Sequence, residues 1–301
     1  MEGKKILTFL VVVLILAMLA LYWYFPSDPK EFRFNGENNF SLNNESQMQF
    51  YPNMRFPVSN LSYSIDDKCS LSKRNDMIKG FEYIDNLTLI DFYESDGNVN
   101  VLITCDDKVK IENGMFIAGE GGPVNATIGK KFSVITQGHI LLLRDSNCER
   151  PNIAIHELLH VLGFDHSDNP NNIMYPVSKC KQVISEDMLL KINELYAIPS
   201  LPDIAFENVN ATIIGRFMNV EIILQNEGLA SSGDFIIGIY ANDKRIDEVE
   251  VSNIEIGGGK IITATNILVP QIKVNQLVFS IEEIGPELDE KNNEVILNIN
   301  N

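Results

Sequence analysis

The sequence predicts an α+β domain built on a mixed sheet, followed by an all-β sandwich, with an apolar helix at the N-terminus. Three observations carry this. There is an apolar run at 6–25, a stretch at 55–199 in which helical and strand periods alternate, and a tail at 200–301 in which short alternating strands recur about every ten residues. The expected segments are therefore 1–25, 26–54, 55–199 and 200–301.

In Ile6–Phe25 the only clearly polar residue is Thr8, and 20 such residues in a helix just cross a bilayer. Lys4 and Lys5 precede the run and Tyr22-Trp23-Tyr24 closes it. A single-pass cell-membrane anchor is expected, with a short cytoplasmic N-terminus and the bulk of the chain outside. The alternative is a cleaved signal peptide and secretion, but Ala17-Met18-Leu19-Ala20 fits a small-x-small cleavage site poorly. Asn-x-Ser/Thr sequons at Asn39, Asn44, Asn60, Asn86, Asn125 and Asn210 agree with an exterior location, though they occur readily in an Asn-rich chain. Residues 26–54 are polar without a sustained period and read as a stalk. The net charge of −17 is a solvated acidic surface and argues against nucleic acid as a partner.

Leu61–Ile65 alternates as a strand, and Ser70–Ile84 places Leu71, Met77, Phe81 and Ile84 at helical spacing. Leu89–Tyr93 and Val99–Ile103 read as strands around the turn signal Ser95-Asp96-Gly97-Asn98. Gly119-Glu120-Gly121-Gly122-Pro123 reads as a plain turn, since no Lys-Ser/Thr follows and no helix starts there to hold a phosphate. Lys131–Ile135 and Gly138–Leu143 read as two further strands. Ser185-Glu186-Asp187 reads as the capped start of a helix running to Tyr196.

The segment His156-Glu157-Leu158-Leu159-His160-Val161-Leu162-Gly163-Phe164-Asp165-His166 uses three of the chain's four histidines. On a helix His156 and His160 lie one turn apart on one face, so both imidazoles reach a single tetrahedral ion, with Glu157 alongside. Gly163 tolerates the positive φ that ends the helix, and the chain then turns so that His166 completes the site. Three protein ligands leave one position for water. Zinc lowers the pKa of that water to roughly 7, and Glu157 is placed to take its proton. These residues point to Zn2+ and carbonyl hydrolysis, with Glu157 catalytic and His156, His160 and His166 as ligands. A structural zinc competes, but such sites normally close with four protein ligands and favour Cys.

That motif, followed by Ser167 and by Asn172-Ile173-Met174-Tyr175-Pro176, resembles the metzincin metalloproteases and, within them, the matrixin branch. The resemblance covers 56–199. It implies that Met174 is the Met-turn residue beneath the metal. It also implies a polypeptide substrate bound as an extended strand along Gly138–Leu143, taken as the sheet edge. The chain departs from the family in three places. Only His139 remains for a second zinc, so none of that kind is expected. Pro176-Val177-Ser178 lacks the tyrosine that walls the specificity pocket, which leaves cleavage preference open. No cysteine precedes Cys69, so latency through a pro-segment thiol is not expected.

Cys69, Cys105, Cys148 and Cys180 form an even set, which suggests two disulfides in an oxidising compartment. Three pairings are open, as are free thiols. Joining Cys148 to Cys180 would brace the zinc helix and leave Cys69 with Cys105. The acidic pairs Asp66-Asp67 and Asp106-Asp107 could hold Ca2+, though charged turns of this kind are common and no calcium ligand is assigned.

Beyond the linker Pro199-Ser200-Leu201-Pro202, strands are expected at Asn219–Leu224, Phe235–Tyr240, Ile246–Val251, Ile261–Leu268, Leu277–Ile281 and Val295–Ile299, which make a two-sheet sandwich. Gln225-Asn226-Glu227-Gly228, Tyr240-Ala241-Asn242-Asp243 and Glu287-Leu288-Asp289-Glu290-Lys291-Asn292-Asn293 resemble the CARDB modules of microbial surface proteins, which are immunoglobulin-like. This module would offer a surface for a partner. The expected function is a membrane-anchored, outward-facing zinc endopeptidase. The alternative is a non-catalytic adhesion or binding protein with a structural zinc site.

Overall fold

The computed structural model describes residues 2–24, 29–36, 48–112, 114–146, 148–271 and 273–298. They fall into two compact units, one of Asn38–Pro202 with Glu227–Ala230, the other of Met1–Glu37 with Asp203–Asn226 and Ser231–Asn301.

Helix α1 (Glu2–Tyr24) covers the expected anchor. Among the described residues, however, no helix is long and apolar enough to cross a membrane, so the expected span is not shown. Strand β1 (Lys30–Asn35) departs from the expected stalk, because it pairs antiparallel with 208–213 and buries Phe32. Residues 37–47, with the sequons at Asn39 and Asn44, lie outside the described residues.

The first unit holds β2 (Met54–Arg55), β3 (Asn60–Ile65), α2 (Leu71–Asp85), β4 (Asp91–Glu94), β5 (Val101–Cys105), β6 (Ile111–Glu112), β7 (Met115–Phe116), β8 (Gly119–Ile128), β9 (Ser133–Leu142), α3 (Asn152–Val161) and α4 (Glu186–Tyr196). Ser70 caps α2 by accepting from the Lys73 amide, and Met77, Phe81 and Ile84 enter the core as their spacing requires. Leu71 does not: it opens the helix and is 74% exposed. Strands β4, β3, β5 and β9 run parallel in that order, with β2 beside the start of β9. The two strands expected at Lys131–Ile135 and Gly138–Leu143 are one continuous strand, β9.

The expected glycine turn at 119–123 is instead the start of β8, which pairs antiparallel with β9 from Gly119↔Leu142 to Ile128↔Ser133. Strand β9 is thereby flanked on both sides, and the sheet edge is β8 rather than Gly138–Leu143. Helix α4 forms where expected, but its cap differs. The Ser185 hydroxyl accepts from Asn172 Nδ2, and the Asp187 carboxylate takes the Met188 amide.

The second unit is the expected sandwich. One sheet has the order β1, β10 (Ile204–Ile214), β11 (Phe217–Asn226), β14 (Gly259–Leu268); the other has β13 (Lys244–Val251), β12 (Phe235–Ala241), β15 (Gln276–Glu282), β16 (Glu294–Asn298). Alternate residues from both faces, such as Val220, Ile222 and Leu224 on β11 and Leu277, Phe279 and Ile281 on β15, meet in a separate core. Strands β1 and β10 are additional to the expected set.

Candidate active site

Helix α3 carries His156, Glu157 and His160, and all three are buried. After α3, Gly163 has φ +94°, the conformation its position required, and the chain returns to bring His166 to the same point. The space there is closed from below by Met54. A Cβ on Gly163 would lie 2.8 Å from Met54 Cγ, so glycine is needed for packing as well as for φ.

The three Nε2 atoms converge. His160 Nε2 is 3.1 Å from His156 Nε2 and 3.2 Å from His166 Nε2. Ligands at 2.0–2.1 Å from a tetrahedral zinc lie about 3.3 Å apart, so the triad is pre-shaped for that ion. The opposite ring nitrogens set the tautomer. His156 Nδ1 donates to the Ile173 carbonyl and His160 Nδ1 to the Phe164 carbonyl, each at 2.7 Å, which leaves the Nε2 lone pairs facing inward. Burial lowers the pKa of both rings, that of His160 to about 4, and so keeps them neutral and able to ligate. Among the described residues this is the one cluster that could hold a metal.

Glu157 lies against β8. A Cβ on Gly119 would come within 2.9 Å of Glu157 Oε1, and one on Gly121 within 2.9 Å of the Glu157 backbone. The glycines expected to make a turn therefore permit the edge strand to pass directly over the carboxylate. Burial, then the neighbouring Glu120, pushes the Glu157 pKa up to about 8, while the Gly121 amide pulls it down. A divalent cation at the triad would act in the lowering direction.

Met174 is fully buried, and its turn is tied by two bonds: Asn172 Oδ1 accepts from the Met174 amide at 2.8 Å, and the Met174 carbonyl accepts from Ser167 at 2.9 Å. Cys69–Cys105 and Cys148–Cys180 are both bonded, and the second ties the loop before α3 to the loop after Met174. His139, the remaining histidine, bonds Thr104 instead. The acidic pairs are occupied as charged turns: Asp67 faces Arg74, Asp106 pairs with Lys108, and Asp107 with Lys73.

Two features escape a reading of the sequence alone. Phe50, in the stretch expected as a stalk, stacks on the His160 ring at 5.7 Å, and its amide donates to the Gly163 carbonyl. Arg150, Asn152 and Gln182 form a polar network between the start of α3 and the loop beyond Met174. Nothing in their spacing announces either.

Residues 48–194 match the family model described as Astacin, a family of peptidases. The human protein matrix metalloproteinase-15 is 47% identical over 51 residues, which is 16% of this chain and 8% of that protein's length. High choriolytic enzyme 1, a hatching-enzyme zinc protease of the medaka Oryzias latipes, is a structural neighbour. It has 15% identity and a TM-score of 0.32, and the match covers 47% of this chain and 90% of the other. The CARDB domain of a Pyrococcus furiosus protein, solved in complex with di-metal ions, has 16% identity and a TM-score of 0.28 over 33% of this chain and 87% of the other. The family model is that of the astacins, and the matrixin likeness expected from the motif is carried by the 51-residue match to matrix metalloproteinase-15. Over residues 48–194, just under half of its length, the chain thus resembles a metzincin-type zinc metallopeptidase domain, and its three histidines form the ligand set of such a site.

Proposed function

We propose that this chain, with that domain as its premise, is an endopeptidase that binds Zn2+ through His156, His160 and His166 and uses Glu157 as general base. The observation that carries the reading is the convergence of three Nε2 atoms beside one buried carboxylate. When bound, zinc supplies Lewis acidity toward the scissile carbonyl and acidifies water at the open position. Glu157 takes the proton of the attacking water on its carboxylate and passes it to the departing amine nitrogen. By the family resemblance Met174 would be the Met-turn residue beneath the imidazoles, and the Ile173 and Phe164 carbonyls hold two of the three rings in register.

The free side of β8 offers main-chain donors and acceptors to an extended polypeptide, and Gly119 and Gly121 bring that edge up to Glu157. Substrate recognition on β8 would rest on backbone shape, with side-chain preference set elsewhere. We assign the sandwich the role of a surface module with an unidentified protein partner. The apolar composition of the sequence at 6–25, preceded by Lys4 and Lys5, is what supports a membrane anchor that presents the bulk of the chain outside the cell.

The deciding experiment is Glu157→Gln. The variant should keep a full complement of zinc and lose about 10²–10⁴-fold in kcat on a mixed peptide library. Parental turnover in the zinc-loaded variant would overturn the mechanism.

A further inference from the structure

The loop from His166 to α4 holds Met174, yet the chain at 176–181 is exposed to solvent. The next residue, Gln182, is polar and buried, at 2% exposure. Its carboxamide is bonded at both ends. Nε2 donates to the Pro170 carbonyl at 3.2 Å and the Val177 carbonyl at 2.9 Å, and Oε1 accepts from the Lys179 amide at 2.7 Å. Pro170 precedes Met174 and Val177 follows it, so a single side chain clamps both limbs of the turn.

The backbone of the same residue is gripped from the first residue of the zinc helix and from the loop just before it. The Gln182 carbonyl accepts from Arg150 Nη2 and from Asn152 Nδ2, and Asn152 Nδ2 also donates to the Lys179 carbonyl at 2.7 Å. Val183 then pairs with the chain leading into Met174: its carbonyl accepts from the Ile173 amide at 2.8 Å and its amide donates to the Asn171 carbonyl at 3.1 Å. Ile173 in turn offers its carbonyl to His156 Nδ1 at 2.7 Å. A continuous set of bonds therefore leads from the Gln182 carboxamide to a ligand ring.

We propose that Gln182 is a positioning residue of the metal centre. Its carboxamide fixes where the Ile173 carbonyl stands, and that carbonyl holds the tautomer and plane of His156. The inference rests on the zinc-site reading above. The chemistry demanded is two donors and one acceptor on a four-atom reach. Glutamate loses the donors and sets charge against two carbonyl oxygens; methionine fills the space without bonding. Were the Cys148–Cys180 bond alone sufficient to hold this loop, Gln182 would be a mere filler.

The test uses the full chain with Gln182→Met, Gln182→Glu and Gln182→Asn. Zinc affinity is measured by competition with a chromophoric chelator, ligand geometry by the visible spectrum of the Co2+-substituted protein, and folding by thermal melts and a free-thiol assay. The Met and Glu variants are expected to fold with no free thiol and to bind zinc about 10–100-fold more weakly, as loss of a ligand-orienting partner does. Their Co2+ spectra should shift, and kcat should fall while KM holds. Asn, one methylene shorter but chemically alike, should recover part of the affinity. A folded Gln182→Met with parental zinc affinity and spectrum overturns the inference. If the Met and Glu variants fail to fold, parental affinity in Gln182→Asn together with parental affinity in Asn152→Ala overturns it, and weakened affinity in both supports it. A parent chain that binds no zinc overturns the metal reading itself, and this inference with it.

Discussion

Gly121→Ala is the sharpest probe of how β8 meets α3. The added Cβ would stand 2.9 Å from both the carbonyl carbon and the Cα of Glu157, and closer still to its carbonyl oxygen. Carbon atoms rest about 3.5–4.0 Å apart, so strand and helix must separate by roughly 0.6 Å or more. Neither yields easily: β8 is laddered to β9 along its length, and the obstructing atoms are helix backbone, not a side chain that can rotate away. Overpacking of this kind costs about 1–3 kcal/mol. Because the atoms displaced belong to Glu157, activity should suffer more than stability, with a misplacement approaching 1 Å costing about 100-fold. Gly122→Ala is the matched control, since its Cβ meets nothing within 4 Å. The assay is kcat/KM on a fluorogenic peptide alongside a urea melt. Parental activity in Gly121→Ala, or an equal loss in Gly122→Ala, would refute the argued approach of edge strand to catalytic carboxylate.

Removing the metal with a chelator should abolish peptide cleavage, with recovery on adding back zinc; activity persisting after metal analysis shows none bound would contradict the reading. The double variant Cys148→Ser with Cys180→Ser opens a loop of 32 residues and should lose on the order of 3–4 kcal/mol in chemical denaturation. In the metal-free protein Glu157 binds its proton up to about 8, against 4.5 for its ordinary value, so the folded state holds the proton more tightly than the unfolded. That contribution to stability is present below 4.5 and is lost as pH rises through 8; Glu157→Gln should flatten the dependence when urea midpoints are compared at pH 5 and 9.

The metal site was legible because its determinants are local. Eleven consecutive residues contain all three imidazoles and the base, the helical period aligns two ligands, and Gly163 has the φ that its place in the motif demands. The strands β11 to β16 were legible for a similar reason, since alternation survives wherever one face is buried. Strand β10 was not, and its register explains why. A bulge between Phe206 and Asn208 shifts the parity, so that Ile204 and Phe206 face inward with Val209, Ala211 and Ile213, and the period of two breaks in the middle of the strand. Strand β1 has one fully buried residue, Phe32, set among polar neighbours, too little for a pattern.

Strand β8 shows a different kind of limit. Gly119, Gly121, Gly122 and Pro123 carry the composition of a turn, and by intrinsic preference they oppose a strand. Two of those glycines are there because Glu157 occupies the place where side chains would stand, a constraint set by a residue some forty positions away. A local reading assigns the glycines to chain reversal and so hands the sheet edge to the next apolar strand, β9. The same long-range contact that overturns the local reading also underlies the proposed substrate edge, because a strand stripped of side chains on the face toward a buried carboxylate is one that helix α3 had to reach. Misreading of the 119–123 segment and the mistaken edge thus have a single cause. The residues that look least like a strand are the ones that let the edge strand and the general base share one site.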